Sequence, residues 1–398
     1  MAERKEAVII SAVRTPTGKF QGALKDFKAT ELGALVVRES VRRAGVRPED
    51  VDEVIMGCVI QAGLGQNPAR QAALHGGIPF GVSAVTINKV CGSGLKAVMM
   101  AAQGIQLGDS ELVVAGGMES MTNAPYLIPK AREGYRLGNG VLVDAMIHDG
   151  LWCAFENYHM GNTGEVVAER YNVTRAEQDE YALRSQQRAA AAIDGGGFDA
   201  EIVAVETKSK RGETTSFTRD EHPRADTTAQ TLKKLPPVFA KDGTVTAGNS
   251  SGITDGAAAV VLMSEEALKA ARGAGEPQAR IVDYEFAGVA PEIMGIGPVP
   301  AIRALLARQK LQLSDIDLVE LNEAFAAQVI ACDRELKFDP ARLNVNGGAI
   351  ALGHPIGCTG VRITTTLLYE MQKRGARRGL ATLCISGGMG IALLLERV

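Results

Sequence analysis

Two thiols, one imidazole and one amide carry most of the chemistry open to this chain. Cys91 lies in Asn88-Lys89-Val90-Cys91-Gly92-Ser93-Gly94, where a strand ends, the chain turns on glycines and a helix begins. A sulfur at a helix N-terminus meets free N–H groups and the positive end of the macrodipole. That setting predicts a lowered thiol pKa and a nucleophile; the competing reading is a packing cysteine. His354 sits in the glycine-rich turn Asn346–Gly357 (NGGAIALGHPIG). Histidine is the usual general base and can pair with a distant cysteine; the bland reading is a turn histidine without a role. Cys384 ends a buried strand ahead of Ile385-Ser386-Gly387-Gly388-Met389, either as an acid–base thiol or as core packing. Asn322 follows another strand and either holds a water that stabilises an oxyanion or caps a helix.

The same residues at 92, 94 and 97 spell G-x-G-x-x-A, a weak form of the dinucleotide pattern, with Glu119 as the nearest candidate ribose acid. Metal-ligand spacing is absent: the five histidines are isolated, and the six cysteines show neither CxxC nor a dense framework. No metal and no cofactor are expected.

The elements that must position these groups read as an α/β chain. Strands are expected over Ala7–Val13, Val54–Cys58, Ala84–Ile87 and Leu112–Ala115, the last running into Gly116-Gly117-Met118. Helices are expected over Thr30–Ala44, Asn67–His75 and Ser93–Gln106. The second half repeats this grammar. Helices are expected over Pro300–Arg308, Ala324–Leu336 and Gly360–Arg374, strands over Asp317–Leu321 and Ala381–Ser386, and a short extended piece over Asn344–Asn346. RPEDVDEVIMG (47–57) parallels QLSDIDLVELN (312–322), CGSG (91–94) parallels GCTG (357–360), and VAGGM (114–118) parallels ISGGM (385–389). Near-constant offsets in one order argue for a duplicated unit of about 120 residues. Between the halves, Asn123–Ser251 is richer in glycine, charge and loop-like sequence (EGYRLGNG, KSKRGETTS), and it carries helices over Thr163–Tyr171 and Arg175–Asp194. The domains expected are therefore 1–122, an inserted loop domain 123–251, a return to the first half at 252–272, and a second half 273–398. A ligand crevice at strand ends is the general rule for such sheets.

The 398 residues are 46% hydrophobic and 22% charged with a net charge of −3, so the chain is neither disordered nor globally basic. Nucleic acid and membrane are not expected partners. No apolar run reaches about 18 residues, and no leader pattern precedes a cleavage site, so a reducing cytoplasm is the default expectation.

With these residues assembled, the chain resembles the thiolases, a family of acyl-CoA acyltransferases. NKVCGSG, GGMESM, NEAFA, GGAIALGHPIGCTG and CISGGMG occur in the family's order and spacing, over essentially the whole length. The resemblance implies two duplicated halves in a five-layer α-β-α-β-α sandwich with an inserted loop domain. It implies Cys91 as acyl-accepting nucleophile, His354 as its activator, Asn322 holding a water in one oxyanion hole, and Cys384 moving the Cα proton. It also implies the backbone N–H groups of Cys91 and Ser386 as a second oxyanion hole, although many members have glycine where Ser386 stands. His159 and Met160 resemble the short-chain members; with Met294, Ala324 and Phe325 they are expected to wall the acyl pocket. Coenzyme A, a substrate, is expected near Leu151, Arg224, Phe239, Ala247 and Ser251. The implied activity is acetyl-CoA C-acetyltransferase, against a longer-chain 3-ketoacyl-CoA thiolase, a β-ketoacyl synthase or a silent acyl-CoA-binding protein. Apolar residues in the glycine-punctuated stretch Met121–Asp149 (Tyr126, Leu127, Ile128, Tyr135, Leu137) and the resemblance predict a homotetramer, a dimer of dimers.

Overall fold

The computed structural model describes residues 5–208, 212–271, 273–275 and 278–398. Residues 209–211 of the expected KSKRGETTS loop and Arg272, the last residue of the expected return segment, lie outside the described residues.

Alternation of buried side chains builds the strands. In β1 (Ala7–Arg14), Ala7 and Ile9 face one core while Val8, Ile10 and Val13 face another. A bulge between Ile9 and Ser11 shifts the alternation, so that Ala12 rejoins the first face. Helix α1 (Ala29–Ala44) closes on Gly45 in the left-handed conformation. It is followed by β2 (Glu53–Gly57), α2 (Pro68–His75), β3 (Ser83–Ile87), α3 (Ser93–Leu107) and β4 (Leu112–Ser120). The intervening segment carries α4 (Met160–Arg170) and α5 (Arg175–Asp194). Then come β5 (Thr254–Ser264), β6 (Ala279–Gly288), α6 (Pro298–Gln309), β7 (Leu318–Leu321), α7 (Ala326–Leu336), α8 (Thr359–Arg374), β8 (Arg378–Ile385) and β9 (Met389–Arg397).

Strand order across the sheets is β7-β8-β9-β6-β1-β5-β4-β2-β3. In the first half β5 runs antiparallel to both β1 and β4, and β4, β2 and β3 are parallel. The second half repeats the pattern: β6, β9 and β8 antiparallel, β8 and β7 parallel. Among the described residues, strand pairing joins the two halves at Val8–Arg280 and Ile9–Ala279. Helices α3 and α8 share the core between the sheets; α1 and α2 cover the outer face of one, α6 and α7 that of the other. This is the five-layer α-β-α-β-α sandwich.

Several boundaries differ from the sequence reading for local reasons. The piece at Asn344–Asn346 is not a strand. Asn344 sits at φ 45°, and its side-chain amide replaces the ladder, accepting from Leu321 N (2.9 Å) and donating to Leu321 O (2.8 Å). Helix α7 starts at Ala326 rather than Ala324, because Ala324 O accepts from Ser251 N and Phe325 is extended and bridges to Ser250. Strand β4 continues past Ala115, through both glycines, to Ser120.

Arg14 docks the intervening segment onto β1. It is buried, bonded through Nε to Glu201 at 2.5 Å and through both terminal nitrogens to Asp220 at 2.7 and 2.9 Å, with Phe198 under the guanidinium. Arg14→Met leaves two buried carboxylates unpaired and is expected to destabilise the fold by about 3–5 kcal/mol. Thermal unfolding checks this; an unchanged melting temperature contradicts it.

Candidate active site

The nucleophile turn is locked before Cys91 is reached. Val90 adopts φ 47°, which a β-branched residue rarely takes. Asn88 Oδ1 accepts from Val90 N at 2.9 Å; Ser93 Oγ accepts from Lys89 N at 2.8 Å and donates to Val90 O at 2.7 Å. The backbone N–H groups of Ser386 and of Cys91 itself reach the Cys91 sulfur. The expected depressed thiol pKa is not found. Burial pushes the Cys91 thiol up to about 11, outweighing those two N–H groups. Cys91 packs against the apolar cluster of Val59, Ile60, Met146 and Ile356, and among the described residues no cation offsets that wall. At rest Cys91 is a neutral thiol that needs a base.

His354 supplies the lone pair. Its backbone N–H donates to Gly252 O at 3.0 Å, tying the turn to the start of β5. Its Nδ1 lies 2.6 Å from Thr359 Oγ1, which itself donates to Pro355 O at 2.9 Å. A hydroxyl has one proton, so Thr359 must accept from Nδ1–H. The tautomer is thereby assigned: Nε2 carries the lone pair. Burial, aided by Arg362, pushes the imidazole down to about 3, so it is neutral with its Nε2 lone pair free, and the same burial makes it a weak base. Asn322 Nδ2 stands 3.5 Å from Nε2; its Oδ1 is buried without a partner among the described residues.

Cys384 ends β8, buried with Met160, Met294, Ala324 and Phe325. Burial and the neighbouring Cys91 sulfur push its thiol well above the ordinary range. Ser386 keeps a negative φ, because Gly387 and Gly388 take the left-handed conformations at 83° and 82°. The side chain that departs from the family's glycine thus costs no backbone strain.

A cleft of ≈ 520 Å³ opens onto His354 and is lined by Leu151, His159, Met160, Arg224, Phe239, Ala247, Ser251 and Phe325. His159 caps α4, its Nδ1 accepting from Gly161 N at 3.0 Å, and stacks on Phe239 at 4.8 Å; Phe239 meets Phe325 edge-on at 6.5 Å. Met294 and Ala324, expected as pocket walls, are buried in the Cys384 cluster against Met160 and Phe325, which line the cleft. Lys19, Phe20 and His222 also line the cleft. Sequence reasoning missed them, since nothing in TPTGKF signals a ligand.

Two family models match, described as the thiolase N-terminal domain over residues 7–266 and the thiolase C-terminal domain over 275–397. The chain belongs to the thiolase family. Among similar proteins, the acetyl-CoA acetyltransferases of Pseudomonas aeruginosa and Escherichia coli are each 56% identical, covering 99% of this chain and 100% of theirs. A crystal structure of the Bacillus anthracis acetyl-CoA acetyltransferase superposes with a TM-score of 0.97 at 49% identity, each chain fully covered. Human mitochondrial 3-ketoacyl-CoA thiolase in complex with CoA gives 0.94 at 44% identity, covering 99% of this chain and 98% of that one.

Within this thiolase the dinucleotide pattern has another cause. A Cβ on Gly94 would lie 3.0 Å from Val361 N, so the glycine serves the close approach of α3 and α8. Glu119, the candidate ribose acid, is buried and accepts backbone N–H groups instead.

Proposed function

We propose that the enzyme is an acetyl-CoA C-acetyltransferase, catalysing the reversible Claisen condensation of two acetyl-CoA to acetoacetyl-CoA and CoA. The observation that carries this reading is the meeting of the two halves at one sulfur. Cys91 comes from the first half, while the Ser386 N–H that reaches it, and Cys384 beside it, come from the second. His354 Nε2 takes the Cys91 proton as the sulfur attacks the first thioester. The carbonyl oxygen then lies against the N–H groups of Cys91 and Ser386. Cys384 protonates the departing CoA sulfur, and the resulting high-pKa thiolate removes the Cα proton of the second acetyl-CoA. His354 and a water held by Asn322 face the enolate oxygen. The groups named need neither metal nor cofactor.

Overall shape does not discriminate between them, since acetyl-CoA acetyltransferase and 3-ketoacyl-CoA thiolase structures superpose almost equally well. The aromatic wall supports the short-chain reading. His159 on Phe239, with Phe325 across it and Met160 behind, supports a short acyl group. A β-ketoacyl synthase would require histidine or asparagine where Cys384 stands. We assign coenzyme A to the cleft residues of the segment 123–251, with the chain divided as 1–122, 123–251, 252–272 and 273–398. Thiolysis of acetoacetyl-CoA by added CoA, followed as loss of the Mg²⁺–enolate absorbance, tests the reading. Rates confined to longer 3-ketoacyl-CoA esters would move it to the long-chain branch, and no thiolysis at any length would remove it.

The six cysteines are unpaired, which supports a reducing cytoplasm. Leu137 is fully exposed, and Tyr126, Ile128, Val141 and Leu142 are mostly so. Such apolar exposure supports assembly, and we assign a homotetramer, a dimer of dimers. Light scattering is expected to give four times the 42.0 kDa chain mass. A dimer mass would remove the second contact, and a stable monomer both.

A further inference from the structure

Glu119 ends β4, fully buried, with no cation against its carboxylate among the described residues. Its Oε2 accepts from Val59 N at 3.0 Å and Gly357 N at 2.9 Å, its Oε1 from Ile60 N at 3.1 Å, and Cys58 Sγ lies 3.9 Å from Oε1. Val59 and Ile60 follow β2 in the first half and belong to the apolar cluster on which Cys91 packs. Gly357 belongs to the second half, three residues beyond His354. One carboxylate therefore joins the wall of the nucleophile to the loop of the base. The backbones meet tightly there: a Cβ on Gly117 would lie 2.2 Å from Gly357 O, and one on Gly357 would lie 2.7 Å from Glu119 Oε2.

Resting on the thiolase reading of Cys91 and His354, we propose that Glu119 is a positioning residue, a carboxylate clamp between the halves that holds the His354 loop at the Cys91 sulfur. An ionised carboxylate only accepts, so it satisfies all three N–H groups at once. Once protonated, one oxygen must donate, and the clamp loosens.

Burial pushes the Glu119 carboxyl up to about 7, against the pull of the three N–H groups and Cys58. The titratable groups facing it are the Cys58, Cys91 and Cys358 thiols, all pushed above the ordinary range. With Cys91 near 11 and His354 near 3, neither changes charge around neutrality. The clamp does. Acetylation of Cys91 is therefore expected to fall as pH drops through about 7.

The test is rapid-quench mass spectrometry of Cys91 acetylation by acetyl-CoA, across neutral pH, on the full chain and on Glu119→Gln and Glu119→Asp. Wild type is expected to show an acid limb near 7. Glu119→Gln is expected to acetylate ~10–100-fold more slowly, the scale of lost outer-shell support, with the limb gone. Glu119→Asp keeps a carboxylate and is expected to keep a limb at an intermediate rate. Should the Gln variant not fold, the Asp variant decides: a displaced limb and slower acetylation support the clamp, and a wild-type profile overturns it. A Gln variant that melts lower yet acetylates with the wild-type rate and limb also overturns it, since Glu119 is then only structural. If wild type takes no label on Cys91, the thiolase reading itself falls and the clamp with it; a label with one profile shared by all three proteins removes the clamp alone.

Discussion

Cys91→Ser is expected to reduce turnover by ~10⁴-fold or more, the scale on which removal of a covalent nucleophile acts. The sulfur already costs energy to ionise, because burial holds its thiol near 11. A hydroxyl in the same apolar wall is harder still to deprotonate, and a neutral His354 is too weak a base to compensate. Incubation of the native enzyme with acetyl-CoA should place one acetyl group on Cys91, visible by mass spectrometry of its peptide. The serine variant should carry none while keeping its secondary structure and melting temperature. An acetyl group found on Cys384 instead would exchange the roles of the two thiols.

Cys384→Ala is expected to separate the half-reactions. Condensation and thiolysis should fall by ~10²–10⁴-fold, the contribution of a general acid–base group. Acetylation of Cys91 should still occur, because a CoA thiolate can leave without the proton that Cys384 otherwise gives it and the N–H groups at Cys91 are unchanged. The variant also removes a sulfur from a buried cluster with Met160, Met294 and Phe325, so some loss of stability accompanies it. The kinetic signature distinguishes the two effects. A burst of one acetyl group per chain without turnover supports the assignment, whereas parallel loss of both steps makes Cys384 a packing residue.

The alternation of β-branched strands with periodic helices made most of the sandwich legible, and the parallel between VAGGM and ISGGM marked corresponding strands. The misreadings came where a side chain replaced backbone. Asn344 took over the ladder of an expected extended piece, and no periodicity encodes that exchange. At the site, the strand–turn–helix passage to Cys91 was legible, but its titration was not. A helix N-terminus is a local cue; the apolar wall that overrides it comes from residues as distant as Met146 and Ile356. Thr359 and Glu119 were missed for the same reason. Each acts by accepting hydrogen bonds from groups whose positions only the folded chain sets. Glu119 also suits the ribose acid of the dinucleotide pattern, since a carboxylate near a strand end has the same appearance in sequence whether it faces ribose or backbone.

The position of β5 governs how the protein is made. It lies between β1 and β4 and supplies both with their pairing partner, yet it is separated from Arg14 by the whole intervening segment. At roughly 5–20 residues per second, ~10–50 s pass at the ribosome between the emergence of β1 and that of Thr254. During that interval β1 has an open edge, as has β4 once it emerges, and Arg14 waits for Glu201 and Asp220 to arrive. The nascent first half is thus a holding state with unpaired strands, the kind that chaperones bind, and its closure has to await the second visit of the chain to its own sheet.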